Sequence, residues 1–171
     1  MIEHPVVVMG VAGCGKSSLG AALAQAEGAL LIEGDEHHSD ANRDKMRRGI
    51  PLTDADRAGW LQVLGDQLRA RPAGAVLTCS ALKRAYRDRL RAAIPGLRFA
   101  WLDLSAAAAQ ERVAQRAEHF FPAGLVATQF DTLEPPHGEA GVLHLDALQA
   151  PPALAQRVAD WLACTATQGP R

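Results

Sequence analysis

The sequence predicts an α/β domain: a three-layer α/β/α sandwich around a roughly five-stranded parallel sheet. Three observations predict it. Short β-branched or apolar runs alternate with longer stretches of helical periodicity, the pattern of parallel strands joined by helical crossovers. The chain has 171 residues, 48% of them hydrophobic and 22% charged, which suits one domain with a full core. No repeat, low-complexity tract or long linker divides it, so residues 1–171 read as a single domain.

Each element has its own signal. Val6–Met9 is β-branched and reads as a buried first strand. An Ala-rich helix over 17–26 follows, with Gly28 as its stop. A second strand is expected over 29–32. Across 52–69, Trp60, Leu64 and Leu68 fall at i, i+4 and i+8, one apolar stripe of a helix. Thr53 and Asp56 stand three apart at its start, a capping box with Asp in the place of Glu. Ala75–Cys79 is the third strand, and Ser80 is expected to cap the next helix. That helix places Leu82, Tyr86 and Leu90 on one face and a basic face opposite. A strand over 98–102 leads to Ser105 as a cap and a helix through about Arg116. A fifth strand over 142–145 precedes a closing helix lined by Leu154, Val158 and Leu162. The stretch 119–136, with its aromatics and double proline, reads as a mobile flap, and the tail 165–171 as frayed.

Charge and composition exclude several classes. Lys plus Arg total 18 against 19 for Asp plus Glu, a net charge of −1, which gives no electrostatic support for wrapping nucleic acid. No apolar run approaches the ~20 residues that cross a bilayer. No secretory signal is visible at the start, and three cysteines without metal-ligand spacing argue against a disulfide framework. The expectation is a cytoplasmic protein without membrane or nucleic-acid partners.

The strongest motif is Gly10-Val11-Ala12-Gly13-Cys14-Gly15-Lys16-Ser17, which matches G-x-x-x-x-G-K-[ST] between a strand and a helix. Glycines let successive backbone N–H groups turn inward into an anion nest, extended by Ser18, and the helix adds its positive end beneath. Lys16 would reach the β- and γ-phosphates of ATP or GTP, and the Ser17 hydroxyl would ligand Mg²⁺. Two glycines at this spacing arise by chance at only about 0.5% of positions. Nucleotide binding follows, with Cys14 a small filler of the loop.

Glu33-Gly34-Asp35 ends the second strand, at the sheet edge where open α/β folds bind ligands. Asp35 would accept a hydrogen bond from an acceptor hydroxyl and orient it for in-line attack. Glu33 would hold a magnesium-bound water, with Asp35 close enough to share the metal. The third strand ends without the acidic residue that commonly completes such a metal site, which shifts that duty toward the Glu33/Asp35 pair. Further on, Arg112 and Arg116 lie one helical turn apart, with no carboxylates sufficient to neutralise both. They would close over the triphosphate as part of a lid over residues 112–134.

Longer stretches carry a family likeness. The segment from Gly34 through Asp35, His38, Asn42, Lys45 and Met46, then Gly49 through Pro51, Asp54, Asp56 and Arg57 to Trp60-Leu61, resembles the gluconokinases. Cys79-Ser80-Ala81-Leu82-Lys83 with Tyr86-Arg87-Asp88 is similar to that family's second signature. His119-Phe120-Phe121-Pro122, and Thr128-Gln129-Phe130 through Glu134, resemble its lid and the helix after it. Gly59 stands where the family often has proline, and Glu33 where some relatives carry aspartate.

The resemblance implies a P-loop kinase fold, as in shikimate and nucleoside monophosphate kinases, and a homodimer. It implies transfer of the ATP γ-phosphoryl to the 6-hydroxyl of D-gluconate, with Lys16, Asp35 and Arg116 as catalytic residues. A small anion with a planar carboxylate and a row of hydroxyls calls for cations at one end and short polar groups along its length. Arg57, Lys83 and Arg87 are the cationic candidates, and Asp35, His38, Asn42, Lys45 and His119 the others. A shikimate-type or nucleoside monophosphate kinase, or a non-catalytic nucleotide switch, is the alternative.

Overall fold

Val6–Met9 (β1) has no solvent exposure at any of its four side chains, and the layers assemble on either side of it. In this computed structural model, residues 2–72, 74–115 and 124–166 are described. β1 pairs in parallel with Ala75–Cys79 (β3) on one side and Arg98–Asp103 (β4) on the other. Leu30–Glu33 (β2) lies outside β3, and Val142–Asp146 (β5) outside β4. The sheet is five-stranded, parallel throughout, in the order β2-β3-β1-β4-β5.

Side chains alternate across this sheet. Val6 and Val8 face one cluster with Leu19 and Leu23 of Lys16–Glu27 (α1) and Leu154 and Val158 of Pro151–Ala166 (α7). Val7 and Met9 face the other, with Leu64 and Leu68 of Asp54–Arg69 (α3) and Leu90 of Arg84–Ala93 (α4). The expected α/β/α sandwich is the observed one. The chain moves from β1 outward to β2, back to β3, then across to β4, so the strand order reverses beside β1. Ligand crevices open at such a reversal, outside the carboxyl ends of the strands.

Local signals set the helix ends. Gly28 closes α1 in the left-handed region, and its N–H donates to the Ala24 carbonyl. Thr53 caps α3 with the full reciprocal box: Thr53 Oγ1 accepts from the Asp56 N–H, and Asp56 Oδ2 from the Thr53 N–H at 2.9 Å. Ser105 caps Ala106–Gln115 (α5) through the Ala108 N–H.

Two expectations change, and one connection gains elements that were not expected. Ser80 does not cap α4: the helix starts four residues later, with Lys83 as its N-cap. The stretch read from its composition as a flap holds Gly124–Thr132 (α6), the helix that the resemblance implies after the lid; its Leu125 and Val126 are buried, with Phe130 packed on the core. A 3-10 turn over Gly34–His37 and Asp40–Arg47 (α2) fill the connection after β2. No apolar stripe announces α2. It is held by Ser39, whose hydroxyl caps the Asn42 N–H, and by an acidic first turn and basic last turn that suit the helix dipole. The tail beyond Ala166 lies outside the described residues, as does the middle of the expected lid, 116–123. No described helix is long and apolar enough to cross a membrane.

Candidate active site

The phosphate loop follows β1 directly. Val11 and Cys14 turn their side chains into the core, which leaves the backbone to face outward. Gly13 has φ +79°, and a Cβ there would press within 3.0 Å of the Ala109 carbonyl oxygen, so this position requires glycine. Burial pushes the Cys14 thiol up, which keeps it neutral and fits a filler of the loop. Lys16 Nζ donates to the Gly10 and Val11 carbonyls, both at 3.0 Å.

Beside the loop, Ser17 Oγ donates to Glu33 Oε2 at 3.0 Å, and Thr78 Oγ1 donates to the same oxygen at 2.6 Å. Glu33 thus presents a carboxylate beside the Ser17 hydroxyl. Thr78 was not among the residues expected here. Its only sequence signal is a hydroxyl inside the otherwise apolar strand Ala75–Cys79. The donor set, hydroxyl and carboxylate oxygens, fits a small hard dication. No group of three His, Cys, Asp or Glu among the described residues could hold a metal alone. Magnesium would instead share its coordination with phosphate oxygens and water, its usual habit in such sites.

A cavity of about 170 Å³ joins this end to the acceptor side. It is lined by Ala12, Gly13, Gly15, Lys16 and Ser17 from the loop, by Asp35, His38, Arg57 and Ser80, and by Thr128, Gln129 and Thr132 of α6. Asp35 is largely exposed to it, with His38 Nε2 at 3.9 Å. His38 is buried, stacked on Trp60 with ring centroids 4.2 Å apart. Asn42 Nδ2 donates to the Asp56 carbonyl at 2.9 Å and lies 3.4 Å from His38 Nδ1. Nδ1 is therefore the acceptor, and the neutral ring carries its proton on Nε2, toward Asp35. Burial lowers the His38 pKa to about 4, against the opposing pull of the Asp35 carboxylate. Arg57 adds a second cation to the cavity that Lys16 also lines. Its Nε is the one buried side-chain polar atom, among the described residues, without a hydrogen-bond partner.

The other expected acceptor ligands are in the wall and not in the cavity. Asn42 is buried and bonded as above. Lys45 pairs with Asp56 at 2.7 Å and ties α2 to the start of α3, which holds the Asp56 carboxyl at about 2. Lys83 pairs with Asp54 at 2.8 Å, and the Tyr86 hydroxyl donates to the same carboxylate. Asp54 is held below the usual carboxylate range by Lys83 first and Tyr86 second.

Arg87 departs furthest from expectation. It is fully buried, and all five of its N–H donors have protein acceptors. Nη1 donates to the Ala81 and Leu82 carbonyls at 2.9 and 3.0 Å, Nη2 to the Glu134 carbonyl and to Glu139, and Nε to Glu139. No donor is left for an acceptor molecule. Its job is structural: Ala81 is held with φ +44°, a region L-residues rarely adopt, in the turn that presents Ser80 to the cavity. Glu139 is held below the usual carboxylate range chiefly by Arg87, with Arg91 adding to it.

Arg112 also differs from the expectation of a free cation poised over the phosphates. It donates to the Gly13 and Cys14 carbonyls, both at 3.4 Å, and to Ala147 at 3.0 Å. It lines a second cavity of about 330 Å³ with Ser18, Gln115, Gln149 and Pro151, behind the phosphate loop. Arg116 and His119 lie outside the described residues.

Comparisons with known proteins agree with this geometry. A family model described as an AAA domain matches residues 6–136. The chain is 44% identical to a gluconokinase of Gluconobacter oxydans over 149 residues, 85% of this chain and 84% of that one. It is 40% identical to the thermosensitive gluconokinase of Escherichia coli over 150 residues, 85% of this chain and 80% of that one. The crystal structure of a gluconokinase from Sinorhizobium meliloti superposes with a TM-score of 0.88 at 44% identity, covering 97% of this chain and 95% of that one. The chain belongs to this AAA-domain family and to the gluconokinase family. Like other gluconokinases it is a P-loop kinase that binds ATP, and its phosphate loop, Glu33 and Asp35 stand at one open end of the sheet.

Two outcomes follow from this wall of buried polar contacts. Arg87→Met leaves Glu139 buried beside a gap, and should cost about 3–5 kcal/mol in thermal or denaturant unfolding. The double variant Arg87→Met/Glu139→Met should regain most of it. For His38, whose folded pKa lies below its unfolded value, the unfolded chain binds more protons between pH 6.5 and about 4. Stability should be fully present above pH 6.5 and fall as pH drops through that window, and His38→Gln should flatten the slope of Tm against pH there.

Proposed function

We propose that the chain transfers the γ-phosphoryl group of ATP to the 6-hydroxyl of D-gluconate, giving 6-phosphogluconate and ADP. The observation that carries the reading is Arg57, which lines the same cavity as Lys16, Ser17 and Asp35 and whose buried Nε has no protein partner. A buried guanidinium nitrogen without a partner is costly unless a ligand completes it, and a carboxylate is its natural complement. Gluconate carries one such group, on the end of the chain away from the reacting hydroxyl.

The roles then divide along the cavity. The loop amides and Lys16 hold the β- and γ-phosphates, Lys16 leaving the Gly10 and Val11 carbonyls for phosphate oxygens. Ser17 and Glu33 would hold magnesium, which supplies charge neutralisation across those oxygens. Asp35 accepts the hydrogen bond of the 6-hydroxyl and aims its oxygen at phosphorus. In-line positioning contributes more than proton removal here, since phosphoryl transition states are loose. The uncharged His38 leaves the Asp35 carboxylate available to the hydroxyl. The second cavity, with Arg112, Gln115 and Gln149 beside the loop, has the size and place for the adenine ring. A homodimer, which rests on the family resemblance, and a cytoplasmic location, which rests on composition, complete the proposal.

A coupled ADP-release assay over sugar acids and sugars tests the reading. Gluconate should be turned over, while glucose and sorbitol, which lack the carboxylate, should fall on the order of 10³-fold in kcat/KM. Arg57→Met should raise KM for gluconate more than it lowers kcat, and narrow that discrimination. Equal turnover of glucose overturns the assignment. Asp35→Asn should lower kcat by about 10²-fold or more with ATP binding unchanged, measured by titration with a non-hydrolysable analogue.

A further inference from the structure

Helix α6 turns one polar side chain, Gln129, onto the phosphate loop. Gln129 Oε1 accepts a hydrogen bond from the Ala12 N–H at 2.7 Å. A backbone N–H can only donate, so the orientation of the amide follows: its oxygen is on Ala12. The other end, Nε2, has two N–H donors, and no described residue accepts from them. Gln129 lines the cavity that also holds Lys16 and Asp35.

The helix behind it is firmly seated. Leu125 and Val126 are buried, Phe130 and Leu133 pack on the core, and the Leu133 N–H continues the helical ladder to the Gln129 carbonyl at 2.9 Å. Ala12 precedes two positive-φ glycines of the loop, Gly13 at φ +79° and Gly15 at φ +99°, that curl the following amides into the anion nest. The Ala12 N–H stands at the lip of that nest, free for Gln129.

From this arrangement we infer that Gln129 contacts the transferring group: Nε2 donates to a non-bridging γ-phosphoryl oxygen, while Oε1 stays on the Ala12 N–H. The inference rests on the proposed kinase reaction. Charge in phosphoryl transfer is spread over the three equatorial oxygens, and a donor already oriented by a second hydrogen bond needs no reorganisation as that charge shifts. A neutral amide suits a cavity that Lys16 and Asp35 also line, since it can donate without adding charge.

Two substitutions separate the halves of the amide. Gln129→Glu keeps an acceptor for Ala12 and replaces the donors with a negatively charged oxygen. Gln129→Met removes both. In the full chain, kcat for gluconate should fall on the order of 10²–10³-fold in both variants, as when one transition-state donor is lost elsewhere. ADP, which has no γ-phosphoryl group, should bind with unchanged affinity by calorimetric titration, and Tm of Gln129→Glu should stay near the parent value. Gln129→Met with kcat within about threefold of the parent overturns the inference, as does a loss of kcat matched by an equal loss of ADP affinity, which marks a purely structural strap. ATP hydrolysis without acceptor is read in parallel and should fall likewise. A parent that binds ADP and hydrolyses ATP but leaves gluconate untouched would fail the acceptor assignment alone, and the hydrolysis data would still decide Gln129.

Discussion

The close approach of β2 to β3 at Gly34 is the contact on which both ends of the site depend. A Cβ at Gly34 would lie 2.2 Å from the Thr78 carbonyl oxygen, so no other residue lets the strands meet there. The Gly34 N–H donates to Thr78 Oγ1 at 3.3 Å, and Trp60 Nε1 donates to the Gly34 carbonyl at 2.8 Å. With the backbone pinned from both sides, the residues on either side of Gly34 diverge. Glu33 is directed to Ser17 and the phosphate end, and Asp35 into the acceptor chamber. Thr78 serves both arrangements, accepting from Gly34 and donating to Glu33. Trp60 does likewise, since its ring is also the platform for His38.

A second fixed point lies across the cavity, at Arg87. Parts of the chain far apart in sequence converge on its guanidinium: the turn after β3, the Glu134 carbonyl just beyond α6, and Glu139. The Glu134 N–H donates to the Leu82 carbonyl and the Glu134 carboxylate accepts from the Arg84 N–H, so the root of α6 is laced to the start of α4. A positive φ at Ala81 costs on the order of 1 kcal/mol, and persists only where surroundings over-determine it. Arg87 supplies that determination with two hydrogen bonds to the turn. The same contacts that hold Ser80 toward the cavity therefore hold the helix bearing Gln129.

The layered fold was legible because it follows from local periodicity. β1 and β3 coincide with their expected runs, and the Thr53/Asp56 box and Gly28 stop are backbone chemistry that needs no tertiary context. The phosphate loop was legible for the same reason. Partner choice was not. Arg87 reads as one more cation in a basic helix, and its burial depends on Glu139, 52 residues away. Lys45 and Lys83 likewise meet Asp56 and Asp54 only once α2, α3 and α4 are packed. α6 was legible as the helix that the resemblance places after the lid, and Val126, Phe130 and Leu133 at i, i+4 and i+7 carry the same signal, although the aromatic and proline residues around it read as a flap. The hydroxyls of Thr78 and Ser80 carried almost none, since a strand-end Ser or Thr is unremarkable until its neighbours are known.

The sorting of charge in the chamber has a mechanistic consequence. Most cations around it are already neutralised by protein carboxylates: Lys45 by Asp56, Lys83 by Asp54, Arg87 by Glu139. His38, nearest to Asp35, is kept uncharged by burial. Arg57 is the cation left with an unmet buried donor, and Asp35 the carboxylate left facing the cavity beside it. An acceptor with an anionic end and a hydroxyl end finds one complement for each. A molecule with two anionic ends would bring its second charge against Asp35, at a separation where like charges repel strongly in a partly dry site. In the proposed acceptor complex, discrimination would come from repulsion at Asp35 as much as from attraction at Arg57, and it would direct the hydroxyl end toward the phosphates.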